Sequence, residues 1–156
     1  MRIHLIAVGT RMPSWVVDAY QEYAKRMPRE CTLQLVEIPL CKRRKSLGAA
    51  QAAEDEGQQL LASLPKDCTV IALDVLGQSW STAALAVRLQ DWLGSGRDVA
   101  LLVGGPDGLS AACLARADLK WSLSALTYPH SLVRVVLAEQ LYRAWTITTG
   151  HPYHRS

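Results

Sequence analysis

Five short apolar runs recur along this chain, separated by longer stretches with helical character, and that alternation confines it to an α/β fold. The runs occupy residues 2–8, 31–38, 69–75, 99–103 and 120–126. Nearly continuous apolar runs suit strands of a mainly parallel sheet flanked by helices, because both faces of such a strand are buried. Helices are expected at residues 15–26, where Pro13 fits the first turn and Ser14 a cap, and at 49–64, ending before Pro65. A third is expected at 82–93, capped by Ser81 or Thr82 and closed by Gly94-Ser95-Gly96. A short helix follows the glycines at 104–108 and runs through Ala115, and a long one spans 130–148. Gly77-Gln78-Ser79 reads as a turn.

The 156 residues suit one domain, 1–156, without repeats or linkers. A hydrophobic content of 49% allows a sizeable core, and 20% charged residues are too few for a disordered chain. The net charge of +3 permits a nucleic-acid partner without requiring one. The opening apolar run is too short to span a membrane and lacks the flanks of a secretory signal, so a soluble, cytoplasmic protein is expected, with no membrane partner. Cys31, Cys41, Cys68 and Cys113 form no CxxC pair. They read as reduced thiols that fill apolar space, and no metal site is expected.

In parallel sheets, ligands bind outside the carboxyl ends of the strands. That rule selects Leu73-Asp74, Gly104-Gly105 and residues 123–127. Residues 101–109 place glycines after an apolar strand, where backbone amides can approach a ligand and open a helix. They match neither GxGxxG nor a Walker loop, and an ordinary strand-to-helix turn is the competing reading. Pro106 removes an amide donor, which favours a neutral or zwitterionic ligand over a phosphate. Residues 121–130 end an apolar strand in small hydroxyl residues, with Thr127 placed to cap the last helix or to meet a ligand. A plain strand followed by a turn at Pro129 is the competing reading. The last residues gather His151, Tyr153, His154 and Arg155, groups able to stack on a base, donate to phosphate or shuttle a proton. A solvated tail is the alternative. The run Lys42-Arg43-Arg44-Lys45 suits phosphate contacts, as do Arg134 and Arg143, although Glu139 four residues earlier offers Arg143 an intrahelical partner.

Taken in order, these segments resemble a known family over the whole chain. Ile6-Ala7-Val8-Gly9-Thr10, Glu37-Ile38-Pro39, residues 101–109 and 121–127, Leu141-Tyr142-Arg143-Ala144-Trp145 and the closing His151-Pro152-Tyr153-His154-Arg155 are similar to the bacterial large-subunit ribosomal RNA methyltransferases of the H family, in the SPOUT class. The resemblance implies a C-terminal deep trefoil knot, a homodimer and S-adenosylmethionine as cofactor. It implies methylation of N3 of a pseudouridine in 23S ribosomal RNA, with the assembled ribosome as partner. By the match, Leu73, Gly104, Leu123, Ser124, Ala125, Leu126, Thr127 and Tyr128 contact the cofactor. Asp107 stands where a glutamate is common, and Ser131 where proline is frequent.

Methyl transfer to an imide nitrogen requires loss of its proton, so a general base or a stabilised anion is needed. His130, beside the cofactor segment, is the first candidate and His154 the second. Tyr153 suits stacking on the target base, and Arg155 its phosphate or developing charge, within the partner's site of a dimer. The rival readings are a non-catalytic ribosome-binding assembly factor of the same fold, a transfer-RNA methyltransferase, and a dinucleotide enzyme without its fingerprint.

Overall fold

The computed structural model describes residues 1–42 and 44–155. Five parallel strands form one sheet in the order β2-β1-β4-β3-β5. They are β1 (Arg2–Val8), β2 (Thr32–Ile38), β3 (Thr69–Ser79), β4 (Val99–Val103) and β5 (Leu119–Ser122). The helices are α1 (Ser14–Ala24), α2 (Arg44–Leu47), α3 (Ala49–Ala62), α4 (Thr82–Ser95), α5 (Ala111–Arg116) and α6 (His130–Thr149), followed by a 3₁₀ turn at Pro152–Arg155.

The apolar runs split by residue parity, as a pleated strand requires. Ile3, Leu5 and Ala7 of β1 and Val99, Leu101 and Val103 of β4 enter a core shared with α1, α4 and α6. Ile6 and Val8, with Ala100 and Leu102, enter a second core that includes Leu60 of α3 and Cys113 of α5. Both faces are therefore covered, which is why these strands tolerate no polar alternation. Cys31, Cys68 and Cys113 are buried free thiols, and burial pushes Cys31 up to about 11.

Local chemistry sets several boundaries. Ala84 N donates to Ser81 Oγ at 3.0 Å, so Ser81 caps α4, and Gly96 closes it in the left-handed conformation. Pro13 lies outside α1 as its cap and Ser14 is already helical. Thr127 does not cap α6, because Pro129 holds that position and the helix starts without a side-chain cap.

Two expectations are corrected. Residues 77–79 are not a turn but the resumed end of β3. Leu73 and Gln78 both pair with Trp121, so residues 74–77 bulge out between them. Gly77 permits this, since a Cβ there would lie 2.6 Å from the Lys120 carbonyl carbon. The last strand stops at Ser122 rather than at 126. Ser122 Oγ donates to Ser124 O at 3.1 Å and Leu126 N donates to Ser124 Oγ at 2.9 Å. These local bonds replace the ladder and curl the chain away from the sheet.

Residues 123–129 then lead from β5, at one edge, past the carboxyl ends of β3 and β4. They deliver α6 to the end of β1, where His130 lies against Gly9. Helix α6 lies between α1 and α4, and its Leu137, Ala138, Leu141 and Ala144 are fully buried. Among the described residues, no helix is long and apolar enough to cross a membrane.

Candidate functional site

The bulge after β3, the glycine loop after β4 and the curled segment after β5 enclose a cleft of about 700 Å³. That volume falls within the range of small-molecule and cofactor sites, roughly 300–1,000 Å³. Of the residues expected to meet a ligand, Leu73, Gly104, Leu123, Ser124, Leu126, Thr127 and Tyr128 line the cleft. Ala125 belongs to the same segment but faces solvent and is not part of the wall. Asp74, which the strand-end rule selected, and Trp121, at the head of the 121–130 segment, join the lining, as does Val133, which was not singled out for the site.

The glycine loop is shaped by its own closure. A Cβ on Gly104 would lie 2.6 Å from the Gly108 carbonyl carbon and 2.7 Å from its oxygen. Gly108 N donates to Gly105 O at 3.0 Å. The absent side chain at 104 therefore lets the loop double back and form the cleft wall, a demand that precedes any approach to a ligand.

The charge of the lining is informative. Two carboxylates, Asp74 and Asp107, line the cleft, and no lysine or arginine does among the described residues. Such a wall disfavours a phosphate-rich dinucleotide and suits a ligand carrying positive charge. Apolar side chains from Leu73, Val103, Leu109 and Leu123 supply the remaining surface for a flat, uncharged moiety.

His130 opens α6 at one end of this cleft and is partly buried. A Cβ on Gly9 would come within 3.2 Å of His130 Nε2, so the imidazole packs on the glycine that ends β1. Burial first, then the neighbouring Arg134, hold His130 below the usual histidine range, while Glu56 opposes them. A histidine held there is neutral near pH 7 and can accept a proton.

The closing residues occupy a different place. Tyr153, His154 and Arg155 sit in the 3₁₀ turn beyond the far end of α6. The intervening helix of 20 residues is about 30 Å long at 1.5 Å per residue. The structure therefore does not bring them to His130 of the same chain. Nor is this segment a loose tail. Tyr153 Oη lies 3.1 Å from Glu139 Oε1, and its ring packs 4.8 Å from that of Tyr142. The Arg143 guanidinium lies 5.0 Å from the Tyr153 ring centroid and bonds Glu139 through Nε at 2.8 Å. Burial, then a hydrogen bond with Tyr23, push the Tyr153 phenol up, so it stays protonated. His154 Nδ1 is buried without a hydrogen-bond partner among the described residues.

The basic segment is partly described. Lys42 and Lys45 are exposed on either side of the start of α2, and Arg43 lies outside the described residues. Arg143 takes the intrahelical partner that its spacing offered. Arg134 contradicts the phosphate-contact expectation, because its side chain is enclosed by Glu37 and the carbonyls of Val8 and Gly9. Its burial was hidden from sequence reasoning, and the only available signal was its place four residues after His130 on one helix face.

A family model described as "Predicted SPOUT methyltransferase" matches residues 1–154. The chain is 65% identical over 155 residues to the ribosomal RNA large subunit methyltransferase H of Thioalkalivibrio sulfidiphilus (strain HL-EbGR7), covering 99% of each chain. It is 60% identical to the protein so named from Saccharophagus degradans, over 99% of this chain and 100% of that one. Its counterpart from Alkalilimnicola ehrlichii is 58% identical over 100% of both. The fold is similar to the solved structure of a protein from Haemophilus influenzae Rd KW20 described as a probable methylase family protein. That match has a TM-score of 0.59 and 15% identity, over 97% of this chain and 69% of that one.

Proposed function

We propose, from the premise that this chain belongs to the SPOUT methyltransferase family and to its ribosomal RNA large subunit methyltransferase H group, that it transfers the methyl group of S-adenosylmethionine to N3 of a pseudouridine in 23S ribosomal RNA. It acts in the cytoplasm, as a homodimer, on assembled ribosomes. The observation that carries this reading is the cleft whose only charged walls, among the described residues and apart from His130, are carboxylates. Its residues fit the cofactor. The carboxylates suit the sulfonium, apolar walls suit the adenine, and backbone groups of the 104–108 and 123–128 segments can orient it.

When bound, the cofactor supplies an electrophilic methyl group. The protein's residues then have three tasks. Leu73, Gly104 and residues 123, 124 and 126–128 hold the ligand. His130, neutral and at the cleft, accepts the N3 proton so that the imide nitrogen becomes nucleophilic. Tyr153 stacks on the target base, His154 stands as the second proton acceptor, and Arg155 meets the phosphate or the charge developing on the imide.

A dimer is what the shared-site reading requires. Groups about 30 Å apart on one helix can share a site only if two copies exchange their ends. The passage of residues 123–129 past strand ends already laid down supports the knot expected for the class. Lys42, Arg43, Arg44 and Lys45 dock the ribosome through phosphates, without sequence preference.

The test uses ribosomes from a strain lacking this gene, incubated with purified protein and methyl-labelled cofactor. Label at a pseudouridine of the large-subunit RNA is the expected result. Cofactor binding without label would redirect the substrate to another RNA. Absence of both would leave a non-catalytic ribosome-assembly factor.

A further inference from the structure

The largest fully buried side chain among the described residues is a cation. Arg134 is 1% exposed, although it sits only one turn into α6. Its Nη1 donates to Glu37 Oε2 at 2.6 Å, at the end of β2. Its Nη2 donates to Gly9 O at 2.5 Å and reaches Val8 O at 3.5 Å, at the end of β1. A charge this deep persists only when acceptors replace water; they do so at Nη1 and Nη2, while Nε is buried without a partner among the described residues. Here the acceptors come from two strand ends, both at the edge of the sheet where the cleft opens.

Arg134 follows His130 by four residues, which places both on one face of α6. The glycine whose carbonyl Arg134 holds is the one on which the His130 imidazole packs. The charged and titratable groups around this pair come from three other elements. They are Glu56 of α3, whose Oε2 accepts from Cys41 N at 2.9 Å, Glu37 of β2, and Tyr20 of α1, whose phenol is held protonated by burial. Glu37 is itself 38% exposed, so it compensates the buried charge only in part.

We infer that Arg134 is a positioning residue of the methyl-transfer site, clamping the ends of β1 and β2 to the first turn of α6 and so fixing His130 beside the cleft. The inference deepens the reading of His130 as general base and rests on it. It assigns the buried arginine a task that burial for stability alone does not require. A methionine of similar length would fill the space without the cost of desolvating a guanidinium.

The experiment follows the imidazole signals of His130 by NMR across pH in the intact wild-type protein and in Arg134→Met, Glu37→Gln and Arg134→Lys. Arg134→Met removes the cation, so His130 should titrate higher. Glu37→Gln keeps the Arg134 cation and weakens its bond to β2, so it should leave the titration near wild type while lowering kcat. Arg134→Lys keeps the charge and loses the fork, so it should leave the titration near wild type while lowering kcat. The acid limb of the methyl-transfer pH profile should move with the titration.

A titration that is unmoved in Arg134→Met, or wild-type kcat in both Arg134→Lys and Glu37→Gln, overturns the inference. Arg134→Lys keeps the charge and Glu37→Gln keeps an amide oxygen that can accept from Arg134, so these two variants decide the matter if Arg134→Met does not fold. Failure of the base reading is seen separately, as full methyl transfer by His130→Ala.

Discussion

Gly104→Ala is a sharp test of how the cleft is built. The added Cβ would lie 2.6 Å from the Gly108 carbonyl carbon, 2.7 Å from its oxygen and 2.9 Å from Leu109 N. All three are backbone atoms, so no side-chain rotation relieves the clash. The loop must open, against the 3.0 Å bond from Gly108 N to Gly105 O. Overpacking of this kind costs about 1–3 kcal/mol. If the loop stays closed, the cost appears as lost folding stability. If it relaxes, the cleft wall moves and the cost appears as weaker cofactor binding, roughly 5- to 150-fold over the same energy range. Urea unfolding and calorimetric titration with S-adenosylmethionine together measure both shares. Gly94→Ala is the control. It lies in α4 with nothing within 4 Å of the new Cβ. It should gain up to about 1 kcal/mol from helix propensity and leave binding unchanged. A Gly104→Ala protein with wild-type stability and wild-type affinity would refute the reasoning.

The shared-site reading predicts complementation. A His130→Ala chain and a chain lacking residues 151–156 should each be inactive, and an equal mixture should recover about one quarter of wild-type activity. Half of the dimers are then mixed, and one of their two sites is intact. Mixed dimers that stay inactive would remove the tail from the partner's site. Ser81→Ala should cost about 1 kcal/mol in urea unfolding, through loss of the α4 cap. Asp98 accepts from His4 Nε2 at 2.9 Å and from Arg2 N at 3.0 Å, and these bonds, the histidine's first, hold its carboxyl below the usual range. Such a group stabilises the fold above its unfolded value of about 3.9, and the contribution drains away as pH falls through the lower folded value. Asp98→Asn should therefore unfold at a lower temperature than wild type at neutral pH, with the gap closing in acid. A gap that persists at low pH would assign the effect to packing.

Much of the architecture is legible in the chain because it is written in short-range patterns. The apolar runs at 2–8 and 99–103 identify strands buried on both faces, and the parity of their residues assigns each side chain to a core. Ser81 and Gly96 mark the ends of α4 by chemistry that acts within one helical turn. The strand ends that bear the cleft follow from the same runs. Local rules failed where a competing local bond or a distant backbone decided the outcome. Ser124 curls residues 123–126 away from an extended path through its own hydroxyl. Gly77 lies in a resumed strand because the backbone of Lys120 approaches it.

The site itself needed the fold. No periodicity shows that the closing residues and His130 lie at opposite ends of one helix, facing different surroundings, until α6 is seen as a single rod. Arg134 reads as one more surface cation until α6 is laid across strand ends that its own sequence neighbourhood does not contain. Its carboxylate partner lies 97 residues away and its carbonyl partners 125 and 126. Residue type and spacing determined the elements, the faces they bury and the family, because those depend on neighbours a few positions apart. Which charges are buried, and which of them face the cleft, was decided by tertiary packing, because desolvation depends on everything that surrounds a group in space.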